Sequence, residues 1–237
     1  MNTKKLKDIL MMPEPELQTF LKDELAGLDY NISCGKDANG NILYLYATKS
    51  SSLPVLLIAH TDIAHDYPPK EIYHDDIDGS LLSRTGLGAD DRAGVFAILE
   101  LIRRNSCDVL FTSYEEKGSL GAKQFITDYD KNPRYHMLVQ LDNPGDNGAM
   151  FYDNKAEEFQ DYILSFGFVR AYSKSSDIKF IAPQWKVNAV NLSVGYYNAH
   201  KKYEQLNLKQ LERTITKVNQ LLSKPVPFCR YNEIDLS

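Results

Sequence analysis

Five side chains able to ligate a metal ion, and one further carboxylate, stand at the ends of apolar runs or in the loops beside them. His60 closes the run Val55 to Ala59, Glu115 and Glu116 follow Val109 to Thr112, and Asp142 closes Met137 to Leu141. His200 lies in the loop beyond Val187 to Leu192, and Asp90 precedes a helical pattern that begins near Ala93. Imidazole nitrogen and carboxylate oxygen together form a donor set for divalent ions of the zinc, manganese and cobalt kind. Adjacent carboxylates such as Glu115-Glu116 also suit general acid and base work. Each residue alone has a commonplace role: Asp90-Asp91 as a helix cap, Glu115-Glu116 as solvated charge, and Asp142 before Asn143-Pro144-Gly145 as a turn residue. Six such groups all falling at strand ends or adjoining loops is an arrangement that independent accidents rarely give.

The elements that must position them follow from periodicity. Leu17, Phe20, Leu21 and Leu25 recur at helical spacing after Pro13-Glu14-Pro15. Ile42 to Ala47 after the Asn39-Gly40 turn reads as a hairpin strand, Val55 to Ala59 as a buried strand, and Tyr73 to Arg84 as a short hairpin around Asp78-Gly79. Helices are expected near 93–102, 120–129, 156–166 and 208–222, alternating with strands at 109–112, 137–141 and 187–192. Such alternation predicts an α/β fold, a three-layer sandwich with a mostly parallel central sheet and helices on both faces. In sheets of this kind, ligands gather beyond the carboxyl ends of the strands, where the six groups lie. No repeat, low-complexity tract or linker divides the chain, and a single domain over 1–237 is expected.

Composition narrows the function classes. The formal net charge is -5, and no basic run with interleaved aromatics tracks a phosphate backbone, so nucleic acid is not an expected partner. The opening MNTKKLKDILMMPEPEL breaks its short apolar stretch with Lys, Asp and Pro, which fits neither a signal peptide nor a membrane span, and a cytoplasmic location is expected. Cys34, Cys107 and Cys229 form no CxxC pair, so a metal site must rest on His and carboxylates.

Taken in order, HTD, GADDRAG, YEEKGSLGA, LDNPG and NAHKKYE resemble the co-catalytic di-zinc aminopeptidase and carboxypeptidase superfamily over about residues 55 to 210. The resemblance implies metal-dependent hydrolysis of peptide bonds in short peptides, with two zinc ions, or cobalt or manganese in their place. By that resemblance His60 and Asp142 complete one site, Glu116 and His200 the other, and Asp90 bridges both. Asp62 would orient the His60 imidazole, since a carboxylate partner fixes the tautomer of a ligating histidine. Glu115 would remain free as the catalytic base. The resemblance further implies a cis bond between Asp90 and Asp91, and a place for Ser176-Asp177 along the substrate pocket. An oxyanion donor is expected from Tyr196 or Tyr197, whereas His65, His74 and His136 match no motif position and are read as non-catalytic.

Relatives with a lid or dimerisation domain insert it between the fourth ligand and the last histidine, but Asp142 and His200 are only 58 positions apart. The interval from His60 to Asp90 is likewise too short for the small β domain of another branch. The pattern is closest to the lid-less bacterial leucine aminopeptidase type. An acidic cleft without a carboxylate-binding insert predicts an aminopeptidase, in which Arg92, Lys201 and Lys202 face solvent rather than a substrate carboxylate. The alternatives are a carboxypeptidase, dipeptidase or small-amide hydrolase on the same scaffold, and a metal-binding protein without activity. The oligomeric state is left open.

Overall fold

A computed structural model describes residues 1–172 and 176–231. The elements follow as α1 (Thr3–Met11), α2 (Glu14–Ala26), β1 (Asn31–Lys36), β2 (Ile42–Thr48), β3 (Leu53–His60), β4 (Tyr73–Asp75), β5 (Ser80–Leu82), α3 (Ala89–Ile102) and β6 (Cys107–Thr112). Then come α4 (Leu120–Asp128), β7 (Met137–Asn143), β8 (Gly148–Met150), α5 (Glu157–Leu164), β9 (Val169–Arg170), α6 (Ile178–Trp185), β10 (Asn188–Ser193), β11 (Tyr196–Tyr197), β12 (Gln205–Asn207) and α7 (Leu208–Leu222). Every expected helix and strand is present within a few residues, the usual precision of boundaries read from pattern.

One sheet of eight strands runs in the order β1-β2-β6-β3-β7-β10-β8-β9. Its centre, β6, β3, β7 and β10, is parallel throughout; β2 and β8 flank it antiparallel, and β1 pairs antiparallel with β2. The central strands are apolar at consecutive positions because both faces are covered. On β3, Val55, Leu57 and Ala59 face a core shared with α1, α2, α3 and α7, and Leu56 and Ile58 face a second core with α4 and α6. Alternation of side chains along a strand makes one segment serve both cores. Each fully buried Leu, Ile or Phe contributes about 1.5–3 kcal/mol relative to exposure, so the dozens of such residues in these two cores dominate the favourable side of folding.

A smaller antiparallel sheet, β11-β12-β5-β4, packs beside α3 and α7. It carries the expected hairpin at Tyr73 to Arg84 and pairs it, through β12, with the segment following His200. The region before Asp90 and the loop of His200 thereby become neighbours. No helix among the described residues is long and apolar enough to cross a membrane.

Candidate metal centre and active site

Three adjacent parallel strands deliver most of the site. In the β3–β6 register His60 lies opposite Thr112, and the Thr61 N–H donates to the Thr112 carbonyl at 2.8 Å. The chain leaving β6 therefore passes beside His60 and turns through Tyr114, whose φ is +58°, into Glu115 and Glu116. On the other side of β3, β7 places Asp142 near its carboxyl end. Asn191 on the next strand clasps that position: its Oδ1 accepts the Asp142 N–H at 2.9 Å and its amide donates to the Asp142 carbonyl at 3.0 Å.

Asp90 enters at the start of α3, where Asp90 and Asp91 depart from helical dihedrals and their peptide bond is cis, as the resemblance implied. Asp91 is fully buried, its carboxylate accepting the N–H groups of His60 at 3.1 Å and Gly94 at 3.2 Å. Gly94 is required by space: a Cβ there would lie 1.9 Å from the Leu141 carbonyl oxygen, so α3 reaches β7 only with glycine at this position.

All five candidate ligands converge in two triplets that share Asp90: His60, Asp90 and Asp142, and Asp90, Glu116 and His200. Asp90 divides its oxygens, Oδ1 lying 3.2 Å from His60 Nε2 and Oδ2 3.2 Å from His200 Nε2. Asp142 Oδ1 is 3.6 Å from His60 Nε2, and Glu116 Oε1 is 3.0 Å from His200 Nε2. With zinc bonds of about 2.0–2.2 Å, neighbouring donors of a tetrahedral site stand roughly 3.3 Å apart, and these four separations bracket that value. Glu116 Oε1 is buried without a hydrogen bond despite its nearness to His200. Such an oxygen is aimed at a common point rather than at a proton, and the residues fit a pair of divalent cations.

The charges point the same way. Burial, together with the nearby negative charge of Asp90, pushes the Glu116 carboxyl up to about 7. Burial also raises Asp142, while Asp90, despite its own burial, is held below the ordinary carboxylate range by His200 and His60. Several carboxylates gathered out of water are costly unless a cation sits among them.

Asp62 stands behind His60, its Oδ1 3.3 Å from the imidazole Nδ1, and its two oxygens accept the N–H groups of Glu115 at 3.1 Å and Glu116 at 3.2 Å. Glu115 belongs to neither triplet among the described residues, and burial raises its carboxyl. The two tyrosines separate: Tyr196 is buried with its hydroxyl 3.4 Å from Asp142 Oδ1, and Tyr197 donates instead to Gln210 on α7. Ser176 and Asp177 are fully buried, Asp177 accepting a hydrogen bond from Thr112. His74 is exposed beside Asp76, His136 lies against the Val226 carbonyl, and His65 contacts Glu204.

Two residues differ from expectation or were missed. Arg92 does not face solvent: it is 1% exposed, its guanidinium donating to the carbonyls of Ile9, Leu10 and Met12 at the end of α1. Glu204 has no expected role, yet its buried carboxylate accepts the N–H groups of Leu87 at 3.2 Å, Gly88 at 2.7 Å and Asp90 at 3.0 Å. It ties the loop after His200 to the turn that presents Asp90. The one sequence signal was its place in NAHKKYE.

No curated protein matches the chain in sequence. Among solved structures, an aminopeptidase PepT from Bacillus cereus superposes with a TM-score of 0.74 at 15% identity, covering 93% of this chain and 96% of its own. A tripeptidase from Staphylococcus aureus gives 0.75 at 14% identity with the same coverage. A TET aminopeptidase from a marine-sediment Thaumarchaeota archaeon gives 0.69 at 14% identity, covering 94% of this chain and 97% of that one. At such identities the likeness concerns the fold. The model of peptidase family M28 matches residues 41–180, which contain His60, Asp62, Asp90, Glu115, Glu116 and Asp142 but not His200. The match spans more than half of the sequence, and the chain belongs to peptidase family M28.

Proposed function

We propose that the chain is a single-domain, two-metal aminopeptidase acting on short peptides, with Glu115 as its general base. The observation that carries this reading is the division of Asp90 between the two imidazoles, one oxygen facing each. His60, Asp90 and Asp142 would hold one zinc ion, and Asp90, Glu116 and His200 the other. When bound, the ions polarise the scissile carbonyl and lower the pKa of the attacking water. Glu115, raised by burial and outside both triplets, takes the proton from that water and passes it to the leaving amine nitrogen. Asp62 holds the His60 ring and, through two backbone N–H groups, the segment bearing Glu115 and Glu116. The acidic surroundings favour a substrate ammonium by Coulomb attraction. Three unpaired thiols suit a reducing compartment such as the cytoplasm.

One observation favours a second reading, a dipeptidase or tripeptidase that also grips the substrate carboxylate. A cleft of about 1250 Å³, lined by none of the candidate ligands but by the loops that follow Asp62, precede Asp90 and follow His200, carries Lys70, Arg84 and Lys202 together with Asp66 and Glu71. Arg92 has no part in it, being turned into α1.

The test is metal analysis of purified protein with digestion of a free peptide, its N-acetylated form and its C-amidated form. Two ions per chain, with acetylation abolishing cleavage and amidation tolerated, is the expected result. Loss of cleavage on amidation favours the second reading, and active protein saturated with one ion overturns the two-metal assignment.

A further inference from the structure

The helical pair α1–α2 docks through Leu6, Ile9, Leu10, Leu17, Leu21 and Leu25, all fully buried. Hydrophobic contact of this kind is non-directional and would hold the pair in place without any polar group. Yet a polar network, buried except at Glu14, runs from these helices to the segments that bear the candidate ligands. The Thr61 hydroxyl lies 2.8 Å from Glu14 Oε1 and 2.9 Å from Ser113 Oγ, with the Thr112 carbonyl at 3.1 Å. Gln18 donates to the same Ser113 Oγ at 2.9 Å. Arg92, with no carboxylate within ion-pair distance among the described residues, donates through Nη1 to the Ile9 and Leu10 carbonyls at 3.2 Å and through Nε to the Thr61 carbonyl at 3.4 Å. The last carbonyls of a helix have no partner within it and carry its negative dipole end, so they suit a buried guanidinium.

The attachment points are specific. Thr61 stands between His60 and Asp62, Arg92 two residues after Asp90, and Ser113 two residues before Glu115. Hydrogen bonds, unlike apolar contacts, fix distance and direction, and a satisfied buried network rigidifies what it joins.

We propose that α1–α2 is part of the active-site frame: Arg92, Glu14 and Gln18 hold the Thr61, Asp90 and Ser113 segments in the register that brings the two ligand triplets together. Thr61, Ser113 and Gln18 are positioning residues that touch neither metal nor substrate. The inference rests on the ligand assignment proposed above.

The test loads the full chain with Co²⁺ and reads affinity by chelator competition, together with the visible absorption bands, kcat and KM. Thr61→Val is expected to weaken Co²⁺ binding about tenfold, the lower end of the range for residues that orient ligands, to shift the absorption bands, and to lower kcat while KM stays within about twofold. Thr61→Ser, which keeps the hydroxyl, recovers the affinity. Gln18→Leu reaches the network from the helix side alone and keeps similar volume, so it gives the same direction of change even if Thr61→Val folds poorly. Variants that melt earlier but bind Co²⁺ like the unaltered chain, with the same bands, overturn the inference and reduce α1–α2 to packing. An unaltered chain that takes up no Co²⁺ overturns the ligand assignment and this inference with it.

Discussion

The carboxylate of Asp62 accepts the backbone N–H of Glu115 at 3.1 Å through the same oxygen that lies 3.3 Å from His60 Nδ1. One side chain thus ties the imidazole of a candidate ligand to the peptide unit of the candidate base, across two neighbouring strands. Asp62→Ala should weaken zinc affinity by about 10- to 100-fold, as losing the partner of a ligating histidine does, and should lower turnover of the zinc-saturated enzyme as well. Zinc competition titration and kcat measured at saturating metal separate the two effects. A variant that loses affinity but keeps full turnover at saturation would show that Asp62 serves the imidazole alone.

Glu115 and Asp90 should respond differently to substitution. Glu115→Gln keeps shape and hydrogen bonding but cannot take a proton, so turnover should fall by about 100- to 10,000-fold with metal content nearly intact. Asp90→Ala removes a donor from both triplets and should lose metal and activity together. Metal analysis beside kcat measurement checks this, and equal metal loss in both variants would reverse the roles of Glu115 and Glu116.

Removing Glu204 should cost stability before chemistry. Glu204→Ala strands the N–H groups of Leu87, Gly88 and Asp90. Each unpaired buried donor costs about 1–3 kcal/mol, and partial access of water should leave a net loss of about 3 kcal/mol. Urea denaturation measures it. Glu204→Gln, which still accepts through one oxygen, should fall between the variant and the unaltered chain. A loss below about 1 kcal/mol would mean that the loop finds other acceptors.

Alkaline pH should unfold the protein through its buried acids. Burial, with the charge of Asp108 adding to it, pushes the Cys107 thiol up to about 12, and burial likewise raises Tyr30 and Tyr135. A group whose pKa is raised on folding keeps its full contribution below its unfolded value and loses it as the pH climbs. The share of stability that these three groups carry should therefore hold to about pH 9, the ordinary thiol value, and decline above it. At pH 8 a thiol reagent should modify exposed Cys34 rapidly in the native state and all three cysteines in denaturant. Rapid native reaction of Cys107 would contradict its burial.

Much of this architecture was legible in the sequence because its signals are local. The apolar runs at 55–59, 109–112 and 137–141 are β3, β6 and β7, and the helical spacing at 208–222 is α7, since burial imposes its period on neighbouring residues whatever lies across from them. The candidate ligands were visible for a related reason: in a parallel sheet the carboxyl ends lie together, so groups just after separate strands must meet. The helix α6 went unassigned, its pattern being short and interrupted by Pro183.

Partnerships across the chain were decided only in three dimensions. Sequence alone offered Tyr196 and Tyr197 equally, and the pairing of β11 with β12 turned one toward Asp142 and the other toward Gln210. Arg92 reads as a surface cation, but the end of α1, some eighty residues earlier, supplies the carbonyls that let it be buried. Glu204 meets the N–H of Asp90 across 114 positions because the small sheet brings β12 beside β5. A buried charge finds its partner wherever packing delivers one, and no local pattern of residues encodes that address.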